Sequence, residues 1–592
     1  MTTPFSPRYG DLVTMFRDSV TRHAERPLYG VRTDSGWTWT TYREAGELVD
    51  TFRGALAKLG VARGDRIACV SNNRLEWVIA YYAAQSLGAT WVPMYENQHD
   101  KEVAYILADS GAKVCLVGSS RAEATVSAHR AELPGLLHIV GFTDEGEGGF
   151  WKRLEAARSS PVAPITPDGG DICCLIYTSG TTGKPKGVCL THRNLASNVQ
   201  SVQLIIPFVA DDRSVSFLPW AHVFGGNIEL NTIMSIGAST AICEAADKLL
   251  EMVAEVRPTF LVAVPRVWNR IHNVVVRGIA EQPGPLRWMF ERAMVAGARA
   301  RRGARVGLVD RAALAMARRT VFARVVARFG GRLKYAVSGA AALSPEVAGF
   351  VDTLGINVYE GYGMTEASGV ATANTPAARR IGSVGKPIPG VTVALDPSAP
   401  GVDVGHGEII LHGHCVMQGY FNRPDENKAT LTADGGLRTG DLGRFDADGF
   451  LFITGRVKEL YKLENGKYIA PAPLEEQLTL SPYVAQVMVH GADRPYNVAL
   501  VVPEFGALGE WAQNQGFGGD RATLLGDPRV EKLIGDELDK QSADWKGFER
   551  VRKFALLPEE FSTANDLLTP TLKIKRRNVV KRYEARIQSL YP

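Results

Sequence analysis

The sequence YTSGTTGKPKG runs from Tyr177 to Gly187. An apolar strand pattern (173–177) precedes it, and a helical pattern (192–201) follows. Glycines let a backbone approach an anion closely and turn its amides inward, while hydroxyl and lysine side chains add donors and positive charge. The stretch therefore predicts a polyphosphate-binding loop. Its expected contact residues are Thr178, Ser179, Gly180, Thr181, Thr182, Gly183, Lys184 and Lys186.

Strand and helix patterns alternate through most of the chain on both sides of this loop. Such alternation predicts a parallel sheet with helices on its faces. After Gly405 short strands and turns follow, with a hairpin signal at Asp448-Gly449. Strands are expected at 66–71, 90–94, 113–117, 210–218, 238–243, 260–264, 333–338, 357–360, 484–490 and 497–502. Helices are expected at 74–87 (with Asn72 or Asn73 as N-cap), 101–110, 286–302, 309–329 and 473–480.

The length of 592 residues is too great for a single core of ordinary size. We predict an α/β protein with a large layered N-terminal domain at residues 1–455, built of mixed and parallel sheets flanked by helices plus a β-subdomain. A hinge is expected at 456–458. A small, mobile α+β domain is expected at 459–592.

Bulk composition excludes several classes of protein. The net charge of +4 is too slight to indicate a nucleic-acid partner. The seven cysteines lie mostly in apolar runs without a CxxC pair, which predicts buried thiols in a reducing cytoplasm. The N-terminus lacks a signal-peptide pattern and no run of about 18 apolar residues occurs, so neither secretion nor a spanning helix is expected.

Residues 278–331 form a helical segment rich in arginine, with Glu281, Glu291 and Asp310 as its acids. The simpler interpretation is a solvated basic face. The alternative is a surface that meets an acidic partner or the anionic inner face of a membrane, peripherally. The sequence leaves the oligomeric state open, a homodimer included.

Further motifs follow the loop in order: SGAA at Ser338, YGMTE at Tyr362, TGD at Thr439, GRVKE at Gly455 and TPTLKIKRR at Thr569. Together they resemble the signatures of the adenylate-forming superfamily, which includes acyl-CoA synthetases, adenylation domains and firefly-type luciferases. The resemblance covers essentially the whole chain. It implies that ATP, Mg²⁺ and CoA take part in the reaction.

The resemblance also implies roles for single residues. Thr178 and Glu366 would lie at Mg²⁺, and Thr365 at the α-phosphate. Lys458 would be the pivot of the small domain, and Lys573 the catalytic lysine, with Lys575 as its rival. The nucleotide would further contact Gly339, Ala340, Glu360, Gly361, Tyr362, Asp441 (at the ribose), Arg456, Lys462 and Tyr468. The acyl pocket would include His222, Phe224 and Gly225.

Three features resemble the long-chain branch: the arginine-rich insert, VPRVWNRI at 264–271 and TPTLKIKR at 569–576. We therefore predict an enzyme that activates a medium- or long-chain fatty acid as acyl-AMP and transfers it to CoA. The alternatives are an acyl-AMP ligase that loads a carrier protein, a luciferase-like oxygenase, and a nucleotide-binding regulator without turnover. The stretch LENGKY at 463–468 replaces the usual glycine pair, which leaves the CoA contacts open.

Overall fold

The computed structural model describes residues 5–178, 184–243, 248–400, 402, 404–569 and 573–592, with Ala280 described by its backbone alone. The strands, in chain order, are β1 (Pro27–Thr33), β2 (Gly36–Thr41), β3 (Arg66–Val70), β4 (Thr90–Met94), β5 (Val114–Val117), β6 (His138–Gly141), β7 (Ile172–Thr178), β8 (Lys186–Thr191), β9 (Arg213–Ser216), β10 (Ser239–Ile242), β11 (Phe260–Ala263), β12 (Tyr335–Ser338), β13 (Val358–Tyr362), β14 (Thr372–Ala373), β15 (Lys386–Pro387), β16 (Val391–Asp396), β17 (His406–Gly413), β18 (Gly419–Tyr420), β19 (Leu437–Phe445), β20 (Leu451–Arg456), β21 (Tyr461–Lys462), β22 (Tyr468–Ile469), β23 (Val484–His490), β24 (Asn497–Pro503) and β25 (Val551–Leu556).

The α-helices, in chain order, are α1 (Leu12–Arg22), α2 (Tyr42–Lys58), α3 (Leu75–Ser86), α4 (Asp100–Ser110), α5 (Ser120–Ala128), α6 (Phe150–Ala157), α7 (His192–Ile205), α8 (Thr232–Ile236), α9 (Leu249–Val256), α10 (Pro265–Ala280), α11 (Gly284–Arg301), α12 (Leu308–Arg319), α13 (Val321–Ala327), α14 (Pro345–Leu354), α15 (Pro424–Thr430), α16 (Pro471–Leu478), α17 (Phe505–Asn514), α18 (Arg521–Leu525), α19 (Pro528–Gln541), α20 (Arg576–Arg582) and α21 (Glu584–Gln588). A π-helix covers Phe224–Asn231.

The chain divides into two compact units. The first comprises residues 1–268, 278–394 and 410–438, and the second comprises 269–277, 395–409 and 439–592. The predicted α/β class, with a large N-terminal part and a smaller C-terminal part, is confirmed. The hinge at 456–458 and the bounds drawn around it stay predictions.

The first unit is organised around a seven-stranded sheet with the order β18-β8-β7-β4-β3-β5-β6. Strands β3, β4, β5, β6 and β7 run parallel, whereas β8 and β18 are each antiparallel to their neighbour. The sequence TWVPM of β4 is buried at every position, which suits a parallel strand covered on both faces. The core of this sheet places Tyr177 and Cys189, from the flanks of the predicted loop, among the buried aliphatic residues.

A second sheet of the first unit has the order β11-β12-β13-β14-β15. Its first three strands are parallel, and Ser338 pairs both with Ala263 and with Glu360. The carboxyl ends of these strands therefore meet at one edge, and the SGAA and YGMTE motifs begin there. Parallel strands place ligand-binding loops at this edge.

The helical insert departs from the prediction in one respect. A single helix was expected over 309–329, but α12 ends at Arg319 and α13 begins at Val321, so that prediction is wrong. Thr320 has φ −117° and ψ −86°, which no α-helix permits. The break is accompanied by complete burial of Phe322, whose ring lies 5.9 Å from that of Phe290 on α11.

The N-cap expected for the helix over 74–87 is also wrong. Arg74 is the N-cap of α3, and it makes no capping hydrogen bond through its side chain. The amide of Asn73 is used elsewhere, because it donates to the carbonyl of Leu218 at 2.8 Å and accepts from the amide of Trp220 at 2.8 Å. The Asn73 side chain therefore bonds to backbone groups that are distant in sequence and does not cap the helix that follows it.

The second unit contains the sheet β23-β24-β25, in which β23 and β24 are antiparallel and β24 and β25 are parallel. Successive residues of β23 face two different hydrophobic cores, one on each side of the sheet. Val487 and Val489 pack with α16 to α19, whereas Met488 packs with α20 and α21. All seven cysteines of the chain are buried, as predicted. Among the described residues, no helix combines the length and apolar character that a membrane-spanning segment requires.

Candidate active site

The strands that flank the predicted phosphate loop form an antiparallel hairpin. Thr178, at the end of β7, pairs with Lys186 at the start of β8, and Tyr177 pairs with Gly187. A Cβ on Gly187 would lie only 3.0 Å from the ring of Tyr177, so glycine allows that ring to cross the neighbouring strand closely. The predicted contacts Ser179, Gly180, Thr181, Thr182 and Gly183 lie outside the described residues.

The base of the loop is tied to α4 and to the segment after β18. The phenol of Tyr177 donates to Asp109 on α4 at 2.7 Å. Arg423 donates to the same carboxylate at 2.8 Å and to the phenol of Tyr105 at 2.5 Å. The ammonium of Lys184 lies 5.3 Å from the centre of the Tyr105 ring. Cation–π contact of this kind holds the lysine near the loop while leaving its charge available to an anion.

Lys186 and Glu366 are joined through one aromatic side chain, that of Tyr420. The Lys186 ammonium lies 5.0 Å from the centre of the Tyr420 ring, and the Tyr420 phenol donates to Oε1 of Glu366 at 2.9 Å. Lys186 is also 3.9 Å from Glu426. The sequence motifs YTSGTTGKPKG and YGMTE, far apart in the chain, are thus brought together.

Glu366 fits a magnesium ligand. It is 8% exposed and lies with buried Thr365 on a single 3-10 turn (Thr365–Ala367). Within the described part of the chain, it forms no ion pair with a lysine, arginine or histidine. A buried carboxylate normally has a cationic partner or a metal, and Mg²⁺ bound to phosphates needs only one or two protein carboxylates. The described residues hold no cluster of three or more metal-ligating side chains.

The edge formed by β12 and β13 carries the residues predicted to meet the nucleotide. Ala340 has φ +69°, a left-handed conformation that is uncommon outside glycine and often marks functional sites. Glu360 is 7% exposed, and burial raises the pKa of its carboxyl to about 7 despite hydrogen bonds from the backbone of Gly382 and Leu343. Gly361 and Tyr362 follow on β13, half-buried.

A cavity of about 60 Å³ lies beside this edge. Gly339, Ala340 and Gly361, which are predicted to contact the nucleotide, line one side of it, and Val202 and Ile206 line it from the end of α7. The predicted pocket residues His222 and Phe224 also line it. The ring of Phe224 packs against Gly339, where a Cβ would lie 3.0 Å from it. The cavity is therefore apolar and adjoins the predicted nucleotide residues.

Two predicted pocket residues are held by local contacts. Nδ1 of His222 accepts a hydrogen bond from the backbone of Phe224 at 3.2 Å, which fixes the imidazole ring. Gly225 is not among the residues that line the cavity in the described structure. A Cβ at Gly225 would lie 2.5 Å from the carbonyl of Pro219, so its lack of a side chain permits the tight turn. Its assignment to the acyl pocket stays a prediction.

The second unit holds the other predicted nucleotide residues in two pairs. Asp441 and Arg456 are opposite each other on β19 and β20, and their side chains form an ion pair at 2.5 Å. Lys462 and Tyr468 are opposite each other on the hairpin β21–β22, with the ammonium 5.9 Å from the ring centre. The predicted pivot, Lys458, is exposed in the turn after β20.

Lys573 and Lys575 lie in different surroundings near the end of the chain. The backbone of Lys573 exchanges hydrogen bonds with Thr569, and its side chain is exposed. Lys575 instead forms a 2.6 Å ion pair with Asp566. The next residue, Arg576, donates to the buried carboxylate of Glu475 through two nitrogens. The assignment of Lys573 as the catalytic lysine, with Lys575 as its rival, stays a prediction.

Three residues near the site, Tyr420, Asp109 and Arg423, were not predicted from the sequence. Two of them belong to the stretch GYFNRP at 419–424, whose glycine, aromatic and arginine residues are the signal that could have drawn attention to it. Their importance depends on contacts with residues 54 and 314 positions away, which no local pattern reports.

The flanks of the predicted phosphate loop and the buried carboxylate of Glu366, joined through Tyr420, fit an enzyme that binds a nucleoside triphosphate. Comparison with protein families agrees: the model of the AMP-binding enzyme matches residues 16–421, and that of the AMP-binding enzyme C-terminal domain matches residues 459–592. The chain belongs to the AMP-binding enzyme family. Enzymes of this family use ATP and acid substrates.

Among curated proteins, the chain is 32% identical over 577 residues to the long-chain-fatty-acid–CoA ligase FadD15 of Mycobacterium bovis, covering 95% of this chain and 94% of the relative. It is also 32% identical to long-chain-fatty-acid–CoA ligase 1 of Homo sapiens, covering 98% of this chain and 87% of the relative. The fold matches the adenylation domain of a carboxylate reductase from Mycobacterium chelonae, with a TM-score of 0.80, 23% identity and coverage of 99% and 91%.

Proposed function

We propose that this protein joins a medium- or long-chain fatty acid to CoA and converts ATP to AMP and pyrophosphate. The observation that carries the proposal is similarity along nearly the whole chain to long-chain-fatty-acid–CoA ligases, at 32% identity. The apolar cavity beside Gly339 and Ala340 supports it, because it offers an acyl chain an apolar environment next to the predicted nucleotide residues. These relatives do not favour a carrier-loading ligase, an oxygenase or a regulator without turnover.

In the first half-reaction, a carboxylate oxygen of the acid attacks the α-phosphorus of ATP and the bond to pyrophosphate breaks. Thr178, Lys184 and Lys186 bind the departing pyrophosphate. Their hydroxyl and ammonium groups make stronger hydrogen bonds to its oxygens as negative charge develops there. Mg²⁺, when bound at Glu366 and Thr178, supplies further positive charge to the phosphates. Lys573 offsets negative charge at the α-phosphate.

In the second half-reaction, the thiol of CoA attacks the acyl carbonyl, and AMP leaves with the electrons of the broken acyl–phosphate bond. Asp441, which also forms an ion pair with Arg456, accepts hydrogen bonds from the two ribose hydroxyls of AMP. No protein nucleophile takes part, because the mixed anhydride already carries a good leaving group. Lys458 is the pivot of the small domain, whose rotation changes the groups around the adenylate between the two steps.

We further propose that the enzyme works in the cytoplasm and meets an anionic membrane surface peripherally through its insert. Residues 284–330 contain eleven arginines against Glu291 and Asp310. On α12, Leu308 (83% exposed), Val309 (58%) and Met316 (59%) form an exposed apolar stripe. Exposed apolar residues among arginines suit the boundary between lipid headgroups and acyl chains. A homodimer has no part in these steps and stays a prediction.

If the exposed apolar stripe on α12 contacts a membrane, a negative charge placed within the stripe should weaken membrane binding. Met316→Glu should lower binding to vesicles that contain phosphatidylserine, because it places an acid where an apolar side chain would insert. Sedimentation with vesicles with and without that lipid measures the effect. Leu250→Glu on α9, another exposed leucine, is the matched control. Equal binding of wild type and Met316→Glu to the anionic vesicles would contradict the proposal.

The acceptor is tested by competition between CoA and an acyl carrier protein bearing a phosphopantetheine thiol. We expect the purified protein, given a long-chain acid, ATP and Mg²⁺, to form acyl-CoA and to leave the carrier protein unloaded. Preferential loading of the carrier protein would contradict the proposed acceptor while leaving the adenylation step intact. A release of light with an added luciferin would favour the oxygenase instead.

A further inference from the structure

Tyr420 touches two residues to which the proposed function gives separate tasks. Its phenol donates to Oε1 of Glu366 at 2.9 Å, and its ring face receives the ammonium of Lys186 at 5.0 Å. Glu366 is assigned to the metal and Lys186 to the departing pyrophosphate. A single side chain therefore fixes the distance between the metal ligand and the base of the phosphate loop.

The backbone holds Tyr420 rigidly in this place. Strand β18 pairs with β8, so that Tyr420 lies opposite Val188, two residues after Lys186. The side chain of Asn427, on α15, accepts from the amide of Tyr420 at 2.6 Å and donates to its carbonyl at 3.1 Å. Gly419 adopts φ +147°, and a Cβ there would lie 3.0 Å from the Asn427 amide, so a glycine is needed for this clamp.

The chemistry of the contact is that of a fixed donor on a carboxylate. A phenol hydroxyl is a hydrogen-bond donor, and that of Tyr420 is directed at Oε1 of Glu366. A carboxylate with one oxygen held in this way has its rotation fixed, and the second oxygen points in one direction. Partners of this kind typically change metal affinity by about 10- to 100-fold when they are removed.

We propose that Tyr420 is a positioning residue for the metal site. It orients the Glu366 carboxylate toward Mg²⁺ and, through its ring, holds Lys186 so that metal and lysine act on the same pyrophosphate. This inference rests on the assignment of Glu366 to the metal in the proposed function. The role of Tyr420 does not depend on which acid is activated or on which thiol accepts the acyl group.

The test measures metal binding directly, with Mn²⁺ as a paramagnetic probe of the enzyme–ATP complex. Tyr420→Phe keeps the ring, and with it the contact to Lys186, but deletes the hydrogen bond to Glu366. We expect Mn²⁺ to bind about tenfold more weakly to this variant. The concentration of Mg²⁺ needed for half-maximal pyrophosphate release should rise by a similar factor, while the rate at saturating Mg²⁺ stays near that of wild type.

Glu366→Gln and the double variant show whether Tyr420 acts through Glu366. If it does, the double variant binds Mn²⁺ no more weakly than Glu366→Gln alone, because the two changes remove one interaction. Tyr496→Phe, which loses a phenol bonded at 3.0 Å to the carbonyl of Leu590 in the second unit, is the matched control and should bind as wild type. Asn427→Ala, which loosens the clamp and leaves the phenol in place, should give a smaller loss in the same direction.

Three results would overturn the proposal: unchanged Mn²⁺ affinity in Tyr420→Phe, additive losses in the double variant, or unchanged affinity in Glu366→Gln. If Tyr420→Phe fails to fold, Asn427→Ala decides, and unchanged affinity there counts against the clamp. Because Mn²⁺ binding is measured with ATP alone, the result is separate from the proposed activity. A wild-type protein that binds Mn²⁺ with ATP but forms no acyl-CoA would contradict only the activity.

Discussion

Replacing Glu229 by glutamine should change how the stability of the protein depends on pH. Glu229 lies on the π-helix (Phe224–Asn231), which also carries the cavity residues Phe224 and Ile228. Its side chain is fully buried and accepts hydrogen bonds from Ser214 at 2.7 Å and Ser216 at 2.8 Å. Burial raises the pKa of this carboxyl from 4.5 to about 8, and the two serines only partly oppose the effect.

The sign follows from the raised pKa. Between 4.5 and about 8 the carboxyl is neutral in the folded protein and ionised in the unfolded chain, so folding takes up a proton. Its contribution to stability is complete below 4.5 and is lost as the pH rises through about 8. One pKa unit corresponds to about 1.4 kcal/mol, so wild type should lose about 2 kcal/mol between roughly pH 6 and pH 8 through this group.

Glu229→Gln cannot ionise, and its amide can exchange hydrogen bonds with the same two serine hydroxyls. The variant should therefore lack that loss of about 2 kcal/mol. Urea unfolding of the first unit, followed by tryptophan fluorescence at several pH values, measures the difference. Glu123→Gln, at an exposed position on α5, is the control and should keep the wild-type slope. Equal slopes for wild type and Glu229→Gln would contradict this prediction, since Glu229 would then be ionised in the folded state.

Two further predictions concern the reaction. Lys573→Ala should abolish pyrophosphate release yet spare thioester formation from supplied acyl-AMP, because the lysine is needed only at the α-phosphate. Lys575→Ala should retain both half-reactions, since that lysine is engaged with Asp566, and equal loss of both half-reactions in Lys573→Ala would contradict its role. Phe224→Ala should raise kcat/KM for branched over straight-chain acids by about tenfold, because removing the ring widens the cavity wall. An unchanged ratio would indicate that the acyl chain lies elsewhere.

Strongly patterned elements could be predicted from the sequence. Strand β4 is found at the predicted bounds, 90–94, and β23 at 484–490. Both are short apolar runs bounded by polar or turn residues, which is the signal that periodicity reports. The burial of every cysteine follows from the same apolar runs. The sheet core and the small C-terminal unit therefore follow from local pattern.

Features that depend on distant partners could not be predicted. Asn73 could not be recognised as a link to Leu218 and Trp220 because its local sequence also suits a cap. The π-helix has no sequence signature distinct from an α-helix, and Glu229 there gave no sign of being buried. The contact of Tyr420 with Glu366 joins two motifs that the chain separates by 54 positions. These contacts arise from tertiary packing, which overrides local preference.

Resemblance to family motifs predicted more residues of the candidate site than hydrophobic periodicity did. It indicated Glu366, His222 and Phe224, which the structure places at a buried carboxylate and a cavity wall. It favoured Lys573 over Lys575 as the catalytic lysine, and that assignment stays a prediction; the structure adds an ion pair between Lys575 and Asp566. Composition and spacing alone would have given only a loop that binds phosphate.

The most direct measurement of the central claim is product formation from fatty acids of graded chain length, with ATP and Mg²⁺, in the presence and absence of CoA. We expect acyl-CoA and AMP in equal amounts when CoA is present, with a preference for medium or long chains. Without CoA, we expect pyrophosphate release limited to about one equivalent of bound acyl-AMP per enzyme, because the adenylate is held until a thiol arrives. Absence of pyrophosphate release with every acid would contradict the proposed activity.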